Sequence, residues 1–150
     1  MKGVALGVVL GIGFSIVVAC GGSTPEQGLD EKLREKLRKE NEITALWTQI
    51  REFRHDARMP LDPPRALMFQ YQALPVQQVM RVCTDGHAVP KTCDDVCDLS
   101  DSICDNAEAI CGLADELGKD DTFAQEKCAS AKASCREAKQ RCCDCSGGVQ

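Results

Sequence analysis

The sequence predicts an all-α protein, with a long N-terminal helix followed by an antiparallel α-helical hairpin stapled by a ladder of disulfides. Three observations predict it. Cys97, Cys104 and Cys111 are spaced by seven, as are Cys128, Cys135 and Cys142, and the two sets mirror each other about Gly118 to Asp121. Residues 29–58 contain neither Gly nor Pro and are dense in good helix formers. With 4% aromatic and 27% charged residues, the chain lacks the material for a large apolar core, so cross-links must supply stability that burial cannot.

Met1 to Ala19 carries one early positive charge, Lys2, and then an apolar stretch from Val4 to Val18 broken only by glycines and Ser15. This reads as a secretory signal peptide, and it is shorter than the ~20 apolar residues of a spanning helix. It ends Val17-Val18-Ala19-Cys20-Gly21-Gly22-Ser23, which resembles the bacterial lipoprotein lipobox, with an aliphatic residue three positions before the cysteine and a small one just before it. The resemblance implies that Cys20 becomes the first mature residue and carries a diacylglycerol and an N-acyl chain, making the lipid bilayer a partner. Several chains are needed, because one anchors only marginally at about 0.8 kcal/mol per buried CH₂. Gly21, where the family uses aspartate for inner-membrane retention, implies the outer membrane, facing the periplasm, with surface display left open.

Residues 20–28, with Ser23, Thr24 and Pro25 among glycines, read as a lipidated cysteine and a flexible tether. The long helix follows at 29–58. Leu29, Leu33 and Leu37 step by four; Ile43, Leu46, Ile50, Phe53 and Ala57 step by three and four, so a heptad seam begins after a stutter. Such a seam buries against the hairpin of the same chain or against a second copy by self-association. Asp30 with Arg34, Glu35 with Lys39 and Arg38 with Glu42 are spaced for surface ion pairs. Arg51, Arg54, His55 and Arg58 form a basic stripe, read as a solvated face, with contact to an anionic envelope polymer as the other reading.

Residues 59–91 form a linker broken by Pro60, Pro63 and Pro64, with a short helix from Arg65 through Tyr71 and, after Pro75, helical spacing of Val76, Val79 and Val82. It is expected to fold over the hairpin, with Trp47 and Phe53 as apolar contacts.

The hairpin occupies 92–145. Seven residues return a helix to nearly the same face about 10.5 Å along its axis, beyond the ~7 Å Cα reach of a disulfide, so each cysteine must bond across to the other helix. Antiparallel register opposes Cys97 with Cys142, Cys104 with Cys135 and Cys111 with Cys128; the residue numbers of each pair add to the same total. Small residues follow three positions after these cysteines, namely Ser100, Ala107, Ala114, Ala131 and Ala138, as close approach requires. Thr92 with Asp95 and Thr122 with Gln125 read as capping boxes, and Gly118 as a left-handed terminus. Closing Cys111 to Cys128 contributes roughly 3 kcal/mol in the chain-entropy account. Cys93 lies opposite Cys145 one residue out of register, which leaves Cys83 with Cys143, although Cys143 and Cys145 can exchange partners. Residues 146–150 read as a disordered tail.

Setting Cys20 aside leaves ten cysteines, an even number suited to an oxidising compartment. The rival reading is thiolates holding copper or zinc, as in bacterial copper-storage helical bundles, but the central ladder lacks the Cys-x2-4-Cys spacing of zinc sites. No GxSxG, HExxH or phosphate-binding glycine loop occurs, so no enzyme and no cofactor are expected. His87 after Cys83 reads as part of a polar turn, and His55 as exposed. The net charge of −5 argues against nucleic acid as a partner. The run from Cys93 to Cys145 resembles cysteine-rich bacterial lipoproteins that pair a charged helix with such a hairpin, a resemblance that implies a fold and no activity. The expectation is a non-enzymatic envelope module whose partner is an unknown envelope protein or polymer.

Overall fold

A computed structural model describes residues 25–83 and 89–147. Five α-helices are present, with no strand among the described residues: α1 (Pro25–Asp56), α2 (Arg65–Tyr71), α3 (Val76–Val79), α4 (Asp94–Leu117) and α5 (Thr122–Gly147), with a 3-10 turn at Lys91–Cys93 leading into α4. The helices α4 and α5 form the antiparallel hairpin and the most extensive contact in the molecule. One face of the hairpin takes α1, through Asn106 to Gln49 and Arg54 to Glu137; the other takes α2 and α3, through Gln77 to Glu108 and Lys132 to the Gln72 carbonyl.

The long helix starts at Pro25, inside the stretch read as tether. Proline suits a first helical turn, where its missing N–H has no intrahelical acceptor to lose. All three surface pairs form, Arg34 with Asp30, Lys39 with Glu35 and Arg38 with Glu42. The buried seam differs from the predicted one. Ile43, Trp47, Ile50 and Arg54 are buried, while Leu46, Phe53 and Ala57 lie at the border, so the four-three alternation is kept but runs through Trp47 and Arg54.

Arg54 therefore leaves the solvated stripe. It is 0% exposed, its Nε donates to the Pro60 carbonyl at 2.7 Å and its Nη1 to Glu137 of α5 at 2.9 Å. Arg51 pairs with Asp62, and His55 and Arg58 are exposed as expected. The C-terminus of α1 explains how Arg54 meets Pro60. Arg58 adopts φ 55°, the Met59 N–H bonds the Arg54 carbonyl and the Arg58 N–H bonds that of His55, the two hydrogen bonds of a Schellman motif, with Met59 buried beyond it. The reversal drives the linker back across α5.

On α5 nearly every middle position is small and covered: Cys128, Ala129, Ser130, Ala131, Ala133, Ser134 and Cys135 are buried. The reason is crowding from three sides, by α4, α1 and the α2–α3 segment. Val76, Val79 and Met59 supply the apolar cover on the linker side. The outer end of α5 continues to Gly147, past the boundary predicted at 145, and the rest of the proposed tail lies outside the described residues.

Because Arg54 is wholly buried and its guanidinium is paired with Glu137, the two truncations are expected to be unequal. Glu137→Ala, which strands the guanidinium, costs about 3–5 kcal/mol in denaturant unfolding, and Arg54→Met, which leaves only a half-exposed carboxylate, costs distinctly less. Equal losses would show that Arg54 is held by its alkyl packing alone.

Candidate functional site

The candidate site residues named by the sequence are the ten paired cysteines and Cys20. Cys20 lies outside the described residues, as does His87. The other ten form five disulfides: Cys97–Cys142, Cys104–Cys135 and Cys111–Cys128 in the ladder, and Cys93–Cys145 and Cys83–Cys143 at its open end. The central three span Cα to Cα distances of 4.8, 4.7 and 4.7 Å, and the outer two 5.9 and 5.4 Å. Of the two arrangements that the sequence left open for Cys143 and Cys145, the structure has Cys143 with Cys83.

Between the rungs, Ser100, Ala107, Ala114, Ala131 and Ala138 are buried, and Ile103 and Ile110 flank the seam at 0% exposure. The rungs thus sit in a dry strip one side chain wide. Access changes along it: Cys104 and Cys135 are 0% exposed, whereas Cys83 and Cys145 are exposed and Cys143 is half-buried. Cys83–Cys143 is the bond that ties the linker to the hairpin, and its sulfurs are the ones a dissolved thiol meets first.

The closed end is built by residues whose roles the capping-box reading assigned differently. Asp121, not Thr122, caps α5: its Oδ1 accepts the Ala124 N–H at 3.0 Å. Gln125 turns back to the preceding helix, donating through Nε2 to the carbonyls of Ala114 (3.0 Å) and Gly118 (3.2 Å), which also accept the backbone N–H groups of Gly118 and Asp121. Thr92 makes no cap; the 3-10 turn places Cys93 at the head of α4 without a side-chain hydrogen bond there. Gly118 has φ 93° and ψ 166°, a region open essentially to glycine alone. Lys36 of α1 bonds the other Asp121 oxygen, and Lys39 pairs with Glu116, so both tie α1 to the turn.

The Lys36 ammonium, and then the Ala124 N–H, hold the Asp121 carboxyl below its ordinary range, and Asp121 with Glu40 raises Lys36. Across the hairpin, partial burial lowers Lys132, opposed by Asp115. Among the described residues no three His, Cys, Asp or Glu side chains converge as a metal-holding group, and no helix is long and apolar enough to cross a membrane. All ten described cysteine sulfurs are spent in bonds, leaving no thiolate among them in this oxidised form. Two shallow hollows lie beside α2, one of 410 Å³ between Phe69, Arg65 and Lys119, the other of 540 Å³ between Val76, Asp115 and Lys132. No family model, curated protein or solved structure matches the chain.

Two outcomes are expected here. A folded-state pKa held below the unfolded one stabilises the protein above the unfolded value, a contribution that is lost as pH falls through the lowered value. Asp121→Asn, which keeps a good cap, is therefore expected to flatten the acid limb of the melting temperature, whereas Asp121→Ala also loses about 1 kcal/mol at neutral pH; an unaltered acid limb in Asp121→Asn would count against the Lys36 pairing. Limited reduction followed by alkylation and peptide mapping should open Cys83–Cys143 first and Cys104–Cys135 last, because exposed bridges are the labile ones. Early labelling of Cys104 would mean that the seam breathes as freely as the clasp.

Proposed function

We propose that the chain is a lipid-anchored, non-enzymatic module of the bacterial cell envelope, held by acylated Cys20 at the outer membrane with its body toward the periplasm, and presenting a covalently stiffened hairpin to an envelope protein or polymer. The observation that carries this reading is the string Val17-Val18-Ala19-Cys20 behind an apolar leader in a chain whose other ten cysteines are all paired. Five disulfides require an oxidising compartment, which export provides. A rigid scaffold with a small core, its ten described cysteines all spent in cross-links, suits recognition. The metal-thiolate alternative requires the ladder to be reduced, and opening it would remove the cross-links that hold α4 and α5 in contact.

Growth with an alkyne fatty acid followed by click labelling tests the anchor. The wild-type chain is expected to take up label and partition with membranes, and Cys20→Ser to lose both properties. Retention of label and membrane association by Cys20→Ser would end this reading.

A further inference from the structure

The two ends of the molecule are unlike. At the closed end of the hairpin α1 runs on past its last ties, Lys36 to Asp121 and Lys39 to Glu116, and every residue from Leu29 to Arg38 is exposed. This exposed overhang, tied at its inner end by Lys36, is about 15 Å long at 1.5 Å per residue. Leu29, Leu33 and Leu37 stand on it at 71%, 54% and 50% exposure, and steps of four keep them on one stripe. Lys32 and Arg34 flank the stripe, one on each side of Leu33, where helices at a lipid interface carry long cationic side chains. The same end presents Phe123, the second residue of α5, and Phe69, 69% exposed beside Lys119 of the turn. The opposite end, closed by the Cys83–Cys143 and Cys93–Cys145 bonds, shows exposed Asp94, Asp95, Asp98 and Asp144. Elsewhere among the described residues, large apolar side chains are exposed only singly, at Leu61, Leu74 and Val89.

We propose that the apolar end is a lipid-contact surface, with the overhang of α1 entering the boundary between headgroups and acyl chains, leucine stripe inward, and Phe123 and Phe69 meeting the surface beside it. The inference rests on the acylation reading of Cys20. Four residues, 21–24, separate that cysteine from the start of α1, and fully extended they span about 14 Å, so an acylated Cys20 holds the overhang at the membrane. A second copy is a poorer match. A specific stable interface uses roughly 20–30 residues a side, and three leucines supply a small part of that. Beside a bilayer the same stripe suffices, because the anchor has already set the distance and the contact is effectively intramolecular. The overhang also carries Asp30, Glu31 and Glu35, so the contact depends on apolar insertion and not on anionic lipid.

The test supplies the anchor chemically, so that it does not depend on acylation in cells. Residues 20–150, which contain every described element, are coupled with disulfides intact through the Cys20 thiol to a maleimide headgroup lipid in phosphatidylcholine vesicles. Tryptophan is placed on the stripe by Leu33→Trp or on the opposite side of the helix by Glu35→Trp, over the constant background of Trp47. With brominated acyl chains in the vesicle, quenching of Leu33→Trp is expected to exceed that of Glu35→Trp at least threefold, and to be unchanged when phosphatidylglycerol is added. Equal quenching of the two variants overturns the proposal, as does a micromolar dimer of the uncoupled protein that Leu33→Asp dissociates. Fatty-acid labelling of Cys20 in cells together with equal quenching retires the overhang contact alone; strong quenching without labelling in cells supports the contact and retires the anchor.

Discussion

A disulfide tolerates Cα atoms no farther apart than about 7 Å, and three such bonds repeated every seven residues hold α4 and α5 together along most of their length. At the observed 4.7–4.8 Å there is no space in the seam for anything larger than serine or alanine between the rungs. Everything else follows from that narrow, small-residue strip. Two helices joined so closely enclose almost no apolar volume between them, so the core has to be made on their outer faces, by α1 through Ile43, Trp47 and Ile50 on one side and by Val76 and Val79 on the other. The chain spends its few large apolar residues outside the ladder and its sulfur inside it.

This division of labour accounts for the buried Arg54. At the end of α1 the linker reverses through the Schellman turn and leaves backbone carbonyls close to α5, and a long side chain with several donors reaches both the Pro60 carbonyl and Glu137. A leucine there would fill the space but satisfy neither group. The ion pairs at the two ends of the stretch of α1 that packs on the hairpin, Arg54 to Glu137 and Lys36 to Asp121, set its position, a register that a seam of small residues specifies weakly on its own.

The hairpin, its partners and its turn were legible because cysteine spacing and helix periodicity carry geometric information that survives without tertiary context. The seam of α1 was legible in period but not in phase. Leu46 and Phe53 are the more apolar members of each neighbouring pair, and only the approach of α5, with its acidic Glu137, makes Trp47 and Arg54 the buried ones. The caps were misplaced for a related reason. Thr122 and Gln125 fit a capping box by local rules, yet Asp121 is drawn to the cap by a lysine 85 positions earlier in the chain, and Gln125 finds better acceptors on the preceding helix. The burial of Ala129, Ser130, Ala133 and Ser134, beside the seam of α5, was not legible, since alanine and serine report nothing about which side is covered. For Cys20, by contrast, the signal is wholly local, and the described residues begin beyond it.

The placement of the Cys83–Cys143 bond has a mechanical consequence. Tension applied between the N-terminal end and the hairpin loads α1 and the linker through noncovalent contacts alone, because the bonds that close on α5 all lie at or after Cys83 in the chain. Under such a load the stretch from Pro25 to Cys83 can peel away and extend to about 200 Å, at roughly 3.3–3.6 Å per residue. Beyond that length the force meets covalent sulfur, and the hairpin stays folded. The molecule is therefore extensible over one half and inextensible over the other, a tether with a built-in stop.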